Sequence, residues 1–494
     1  MSESLLVVDV GTSGVRAAIV RPDASVHHVH HVAVLPATPA PGLVEVDPEA
    51  IASAVLDVAR AALADGGPVG GVGIANQRAT TVVWERRTGR PVAPGIGWQD
   101  LRTLGTCLTL QAEGFRFAPN ASATKAAAIL DDVDSDRSIA AEELCIGTID
   151  SWVVWTLSGG PSGSRLHVTD ATNAAVTGLV SLDPLRWEAR LLDVLRIPER
   201  SLPRIVDSSG AVGTADALEG APPICAIAGD QQASLIGQGC TEPGLAKVTF
   251  GTGGSLNLCT GPGVPTTLGR NPSGTFPIIA WQRAGATTYG VEGIILSAGT
   301  CIEWLRDDLG LIESSADSAT VAARCSDSGG VSFVPALLGL GTPVWDFGAR
   351  GTLLGLTRGT GRPEIVRAVL EGLAQRGADL LEAAEADGGW APAALRLDGG
   401  MSANEVFVAA LAETIGRPVE VSAILEATTL GAGFLAGLVT GTWRDEADVA
   451  AAYRPAATVE PVAEASVRAA ARERWLEARG RAERLIPELS TITF

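Results

Sequence analysis

The stretch LLVVDVGTSGVRAAIV, residues Leu5 to Val20, opens the chain with two apolar runs joined by Gly11-Thr12-Ser13-Gly14. Two β-rich runs linked by glycine and hydroxyl residues read as a hairpin. A related stretch, LAKVTFGTGGSLNLC, residues Leu245 to Cys259, recurs at about the midpoint of the 494 residues. Two glycine hairpins opening the two halves of a chain predict a duplicated domain with a cleft between the copies. The first hairpin continues into a further strand over Ser25–Leu35, a helix over Pro48–Leu63 and strands at Val69–Ala75 and Thr80–Glu85. The second half alternates, with helical spacing at Gly293–Leu309 and Pro363–Ala384. A strand at Ala394–Leu397 is followed by a helix at Ala403–Ile415. The tail from Glu464 to Glu488, rich in Ala, Arg and Glu, reads as a closing helix whose charges form a solvated face.

Composition narrows the class. The chain is 46% hydrophobic and 19% charged, enough apolar surface for large cores and too much for a disordered chain. Its net charge of −19 repels phosphate backbones, which argues against nucleic acid as a partner. The uncharged, mainly apolar stretch between Glu426 and Arg444 is interrupted by Thr and Gly and reads as a buried helix, so no membrane partner is expected. The N-terminal residues carry no basic region or cleavage site, and the seven cysteines are scattered without a CxxC pair. Both features point to free thiols in a cytoplasmic protein. Four histidines, His27, His28, His30 and His31, share one alternating strand, which splits them between two faces and argues against a metal cluster.

Several polar residues stand where chemistry is possible. Glycine admits close approach of backbone N–H groups to an anion, and Thr12 and Ser13 can donate to phosphate oxygens. Asp9, at a strand end beside that loop, can hold Mg²⁺ through water, and Arg16 on the outgoing strand adds a cation. Asp230, after the apolar run Pro223–Ile227, can act as general base towards a hydroxyl, or equally can cap the helix that follows. Arg78 and Trp98, with Gln77, Gln99 and Asp100, suit a hydroxylated ligand whose C–H edges an aromatic face would cover. No GxxxxGK[ST] loop and no HRD or DFG set is present, which removes two common nucleotide folds.

Taken in order, DVGTSGVR, NQRATTVVWERRTGRPV, WQDLRT, SATK, AGDQQASLIGQ, GTGGS, EGIILSAGTCIEWL, GLGTPVWD, ARGTLLGLTRG, DGGMSANE and TTLGAGFLAGLVTGTW resemble the FGGY carbohydrate kinases, nearest to their glycerol-phosphorylating branch. The resemblance spans Leu5 to about Trp443. It implies an α/β fold of two actin-like (ribonuclease H-like) domains, each a mixed five-stranded sheet flanked by helices, with ATP and sugar in the cleft between them. Residues 1–240 would bind the sugar or polyol, and residues 241–494 the nucleotide, ending in a closing helix. Matched position by position, the resemblance places Thr12, Ser13, Gly14, Arg16 and Thr252 at nucleotide phosphates. Gly14 stands where that branch has a serine. Gly299, Glu303, Gly400 and Asn404 fall at further nucleotide positions, Glu303 where the branch has glutamine. Asp9 falls near Mg²⁺ and Asp230 at the general base, while Arg78, Trp98, Asp230 and Gln231 fall at substrate contacts.

Three departures cluster on the substrate. Ala79 replaces a glutamate, Asn120 a tyrosine and Ser255 an aromatic residue. They lead to the expectation of an ATP-dependent kinase for a polyol or ketose larger than glycerol. The alternatives are a glycerol kinase with a relaxed pocket and a xylulose-type kinase, the latter disfavoured by Arg78. A further class, an actin-like ATPase without a sugar, is disfavoured by the Arg78, Trp98 and Asp230–Gln231 set. The expected partner is a small sugar or polyol, and a homodimer is compatible with the resemblance.

Overall fold

The computed structural model describes residues 3–267, 269–424 and 426–492. Its spine is one 13-stranded sheet. The first half contributes β1 (Leu5–Val10), β2 (Gly14–Val20), β3 (Val26–Ala33), β4 (Gly71–Asn76), β5 (Ser209–Thr214) and β6 (Pro223–Gly229). The second contributes β7 (Ala246–Phe250), β8 (Gly254–Gly261), β9 (Phe276–Arg283), β10 (Ala286–Ile295), β11 (Leu395–Asp398), β12 (Val419–Ser422) and β13 (Pro455–Val459). The spatial order is β13-β12-β11-β7-β8-β10-β9-β5-β6-β4-β1-β2-β3.

Within this sheet one pattern occurs twice. Strands β1, β2 and β3 run antiparallel, and β4 and then β6 add parallel on the free side of β1. Strands β7, β8 and β10 repeat the antiparallel set, and β11 and β12 the parallel additions. The two patterns meet edge to edge where Ser209 of β5 pairs with Arg283 of β9. Parallel strands covered on both faces read as unbroken apolar runs, which is why β1 and β4 are buried almost throughout.

Helix α1 (Pro48–Gly66) covers the first half. Asp47 caps it by accepting from the Glu49 and Ala50 N–H groups, and Ile51, Val55, Val58 and Ala62 turn inward. Between β4 and β5 the chain inserts Thr81–Glu85, Gly95–Ile96 and Leu144–Thr148, which with Glu45–Val46 from before α1 form an extra four-stranded sheet, with α2 (Ser122–Val133) beside it. The strand at Thr81–Glu85 therefore belongs to this insertion and not to the main sheet.

The halves join through α3 (Asp230–Gly237) and α6 (Ala427–Thr440); α4 (Arg362–Gly388) and α5 (Glu405–Ile415) lie between these two in the sequence. Helix α6 belongs to the second half yet packs on β1, β4 and β6 of the first. It crosses α3 in backbone contact, because a Cβ on Gly431 would lie 1.8 Å from the Ala233 carbonyl oxygen and one on Gly237 1.9 Å from that of Ala427. Only glycine fits at this crossing.

Two expectations from the sequence need correction. The helix expected over Gly293–Leu309 is strand as far as Ile295, because β10 is held between β8 and β9. A short helix, Gly299–Glu303, follows, then a wider turn at Trp304–Asp308. The closing helix α7 (Ala465–Ala482) is more than a solvated face. Arg472 and Arg479 bind the buried Asp379 of α4 at 2.6 and 2.8 Å. Burial works to raise the Asp379 carboxyl, but Arg376, Arg472 and Arg479 overcome it and hold the group below its ordinary range. No described helix is long and apolar enough to cross a membrane.

Candidate active site

The site forms where the carboxyl ends of β1, β4 and β6 meet the glycine hairpins. At the end of β1, Asp9 pairs in register with Arg16, and Arg16 pairs with His31 of β3. Arg16 also makes an ion pair with Glu426, which precedes α6. Burial, reinforced by repulsion from Asp230 and Glu426 and opposed by Arg16, pushes the Asp9 carboxyl up to about 7. A carboxylate this short of positive charge suits a cation. Among the described residues no group of three or more His, Cys, Asp or Glu closes around a metal position. Asp9 is the carboxylate here that could hold Mg²⁺, an ion that takes one or two carboxylates and completes its shell with water and phosphate oxygens.

The hairpin beyond Asp9 is shaped for an anion. Thr12 Oγ1 accepts from the Trp98 indole at 3.2 Å, and Ser13 stands exposed at the tip. Gly14 is dictated by its neighbour, since a Cβ there would lie 2.4 Å from His31 Nε2 and 2.8 Å from the Val32 carbonyl. In the second half, Gly251–Gly253 is matched by a second layer. The Gly299 N–H donates to Gly251 O at 2.8 Å and the Ala298 N–H to Thr252 O at 3.0 Å. The Gly399–Gly400 turn lies against the same hairpin, with no room at Gly399 for a Cβ beside Phe250 O. Glu303 is exposed at the end of its short helix. Asn404 has its carboxamide engaged, accepting from the Phe407 N–H as cap of α5 and donating to Ser318 Oγ.

On the substrate side, Asp230 begins α3 with about a third (33%) of its side chain open. Its Oδ1 accepts from the Gln231 N–H at 2.7 Å, and Arg78 Nε stands 3.5 Å away. Burial raises the Asp230 carboxyl, Arg78 and the Gln231 N–H pull it down, and the balance stays above the ordinary value. A raised carboxylate is a stronger proton acceptor.

Arg78 is bound bidentately by Glu292 of β10, at 3.0 Å from Nη1 and 2.8 Å from Nη2. Ser255 Oγ donates to the same carboxylate at 3.0 Å. Gln231 Oε1 accepts from Lys247 Nζ at 2.8 Å. Ala79 follows Arg78 with φ of +64°, in the left-handed region that a Cβ disfavours, and its carbonyl accepts from Ser122 Oγ. Trp98 is 38% exposed. The buried ammonium of Lys125 donates to the carbonyls of Trp98 (3.0 Å) and Asn120 (3.1 Å), tying those two residues together. Burial pushes Lys125 down to about 7 against the pull of Asp100.

The structure thus brings Asp9, Arg78, Gln231, Asp230 and Ser255 together through the Arg78–Glu292 and Asp230 contacts, with Thr12, Trp98 and Asn120 linked beside them. Sequence reasoning missed Glu292, Lys247, Lys125 and Glu426. Lys247 did carry a signal, a lone cation inside the apolar strand run Leu245–Phe250.

A duplicated mixed sheet with a glycine hairpin in each half and carboxylates at its strand ends is a two-domain α/β architecture suited to binding an anionic ligand. Comparison with known proteins places it. The N-terminal domain of the FGGY family of carbohydrate kinases matches residues 4–237, and the C-terminal domain of that family matches residues 246–439. The chain belongs to the FGGY carbohydrate kinases, phosphotransferases with an alcohol group as acceptor. It is 44% identical to a glycerol kinase of Aromatoleum aromaticum, over 97% of this chain and 98% of that one. It is 38% identical to glycerol kinase 2 of Thermotoga maritima, over 96% and 97%. In structure it resembles a Plasmodium falciparum glycerol kinase with ADP, with a TM-score of 0.90, 27% identity and 99% of both chains covered. A xylulose kinase of Lactobacillus acidophilus shares the fold at a TM-score of 0.83 and 21% identity, over 97% of each chain.

Proposed function

We propose that this chain is an ATP-dependent glycerol kinase, with residues 1–240 supplying the polyol pocket and residues 241–494 most of the nucleotide pocket. The observation that carries the reading is the Arg78–Asp230 pair at 3.5 Å, beside Gln231. It supplies a cation and an amide to hold hydroxyls next to a carboxylate of raised basicity. The glycerol kinases among the relatives, at 38–44% identity over nearly the whole chain, support glycerol over the larger substrate that Ala79, Asn120 and Ser255 led us to expect. The shortened side chain at 255 is also not simply lost volume, because its hydroxyl is bonded to Glu292 and so backs Arg78.

In this reading Arg78 and Gln231 hold the polyol and Trp98 covers its C–H edge. Asp230 takes the proton of one hydroxyl. That oxygen forms the new bond to the terminal phosphorus of ATP as the bond from phosphorus to the ADP oxygen breaks. Thr12, Ser13, Gly14, Arg16 and Thr252 line the phosphates, and Gly299, Glu303, Gly400 and Asn404 stand on the nucleoside side. When bound beside Asp9, Mg²⁺ supplies positive charge to the phosphate oxygens.

The test is ADP release across three- to six-carbon polyols and ketoses. Glycerol is expected to give the highest kcat/KM. A ketopentose or a longer polyol outrunning it would overturn the assignment.

A further inference from the structure

Resting on the glycerol kinase reading, we propose that Glu292 and Lys247, both on strands of the second half, are positioning residues of the polyol site. Glu292 orients the Arg78 guanidinium, and Lys247 orients the Gln231 carboxamide.

The two come from one row of the sheet. Lys247 of β7 pairs in register with Asn257 of β8, and Asn257 pairs with Glu292 of β10. Residues paired across neighbouring strands share a face, so Lys247 and Glu292 leave the second half on the same side. They reach the first half at two adjacent points, Gln231 and Arg78.

Glu292 decides which carboxylate holds the guanidinium. Arg78 could bond fork-to-fork with either acid beside it. With both terminal nitrogens on Glu292 at 2.8–3.0 Å, it leaves Asp230 only the single 3.5 Å approach of Nε. Were the fork on Asp230, the proton acceptor would be tied up and the substrate hydroxyls would lose their cation. Ser255 steadies the arrangement by donating to Glu292. Burial works to raise Glu292, and Arg78, Ser255 and Lys247 more than reverse it, so the carboxylate stays charged.

Lys247 settles a different ambiguity. A carboxamide can lie either way round, and its two ends do opposite work. An ammonium donates only, so its 2.8 Å contact must be to the Gln231 oxygen, which leaves the NH₂ end to donate to a ligand oxygen. A second bond, to Thr249 Oγ1 at 2.9 Å, fixes the ammonium itself. Burial draws Lys247 below its ordinary range, against Asp398, Glu292 and Asp230.

The experiment is a double-variant cycle in the full-length protein, reading KM for glycerol and for ATP separately. Loss of a charged hydrogen bond corresponds to roughly 10- to 100-fold in affinity, so Glu292→Gln is expected to raise the glycerol KM by about that factor, with the ATP KM within about twofold. Lys247→Met is expected to raise the glycerol KM alone, by roughly tenfold. If Glu292 acts through Arg78, adding Glu292→Gln to Arg78→Met changes the glycerol KM no further. A structural defect would instead add, and would raise both KM values. Ser255→Ala, which removes only one bond to Glu292, is the milder variant if Glu292→Gln does not fold, and is expected to raise the glycerol KM severalfold. An unchanged glycerol KM in the Glu292, Lys247 and Ser255 variants that fold, or full additivity with Arg78→Met, overturns the positioning roles and leaves the glycerol kinase reading standing. If the parent protein works on a ketose and not on glycerol, that reading falls instead, and the same cycle is read with the ketose.

Discussion

The two halves present the same strands to the cleft and load them with opposite chemistry. In the first, the row across β1, β2 and β3 is Asp9–Arg16–His31, at the mouth of its hairpin. In the second, the row across β7, β8 and β10 is Lys247–Asn257–Glu292, set back from the corresponding hairpin. The first row leaves its carboxylate short of positive charge. The second sends its cation and its carboxylate across to Gln231 and Arg78. A repeated framework therefore fixes where side chains emerge and leaves their chemistry open, so duplication of the fold is no guide to duplication of function.

The sharpest break in that symmetry lies at the helices that follow β6 and β12: Asp230, opening α3, stands beside Arg78, whereas Glu426, preceding α6, is paired with Arg16. A positioned base contributes roughly 10²–10⁴-fold to turnover. Asp230→Asn should lower kcat by about that factor while nucleotide affinity, measured by calorimetry, stays within about twofold. Turnover close to that of the parent would remove Asp230 from the reaction.

What the sequence disclosed divides along the same line. The hairpins at Gly11 and Gly251 and the strand-end Asp9 were legible, because a turn's chemistry is written in four or five adjacent residues. Arg78, Trp98, Asp230 and Gln231 were legible through ordered motifs. Glu292 and Glu426 were not, because each acts on a partner from a distant segment, 214 residues away for Glu292 and Arg78 and 410 for Glu426 and Arg16, while Lys247 showed only as a lone cation in an apolar run. The spacing that suggested a helix over Gly293–Leu309 failed for a related reason: β8 and β9 claim its first residues for the sheet. The arginines of α7 read as solvated because only the folded chain reveals that Asp379 lies beneath them.

The halves should also answer differently to acid. His167, in the first half, is held in tight packing: Nε2 donates to Ile146 O at 3.0 Å, and the ring packs edge-on to Trp84. Burial and the nearby Arg86, against the Ile146 carbonyl, lower its pKa from 6.5 to about 4. Between those values the unfolded chain binds a proton that the folded one refuses. Stability from this group is therefore complete above pH 6.5 and lost as pH falls towards 4, by at most roughly 3 kcal/mol. Asp150, in the same half and raised to about 6, titrates in the opposite sense, so the informative quantity is a difference. The stability gap between the parent and His167→Gln, from urea unfolding, should narrow steadily from pH 7 to pH 5. In the second half Asp379, held low by its arginines, keeps its charge throughout that window. A gap independent of pH would mean that the imidazole is not held neutral.

The smallest effects separate the seam between the halves from the surface of one of them. Gly431 and Gly480 are both helical glycines, and in isolation either should gain from alanine, which is favoured in helices by roughly 0.8–1 kcal/mol. At Gly480 in α7 no atom lies within 4 Å of the added Cβ, so that gain should appear nearly whole, about 0.4–1 kcal/mol. At Gly431 the same methyl meets the Ala233 carbonyl at 1.8 Å, and α3 and α6 must move apart. Overpacking costs roughly 1–3 kcal/mol, which exceeds the helical gain and reverses its sign. Gly237→Ala strains the same crossing from the other side, with 1.9 Å to Ala427 O, so combining it with Gly431→Ala should cost less than the two effects added, since one separation relieves both. Urea midpoints order the set, with Gly480→Ala above the parent and Gly431→Ala below it. If Gly431→Ala also rose above the parent, the helices would have slack at the crossing, and the seam would be a loose contact instead of the close-packed joint that glycine makes possible.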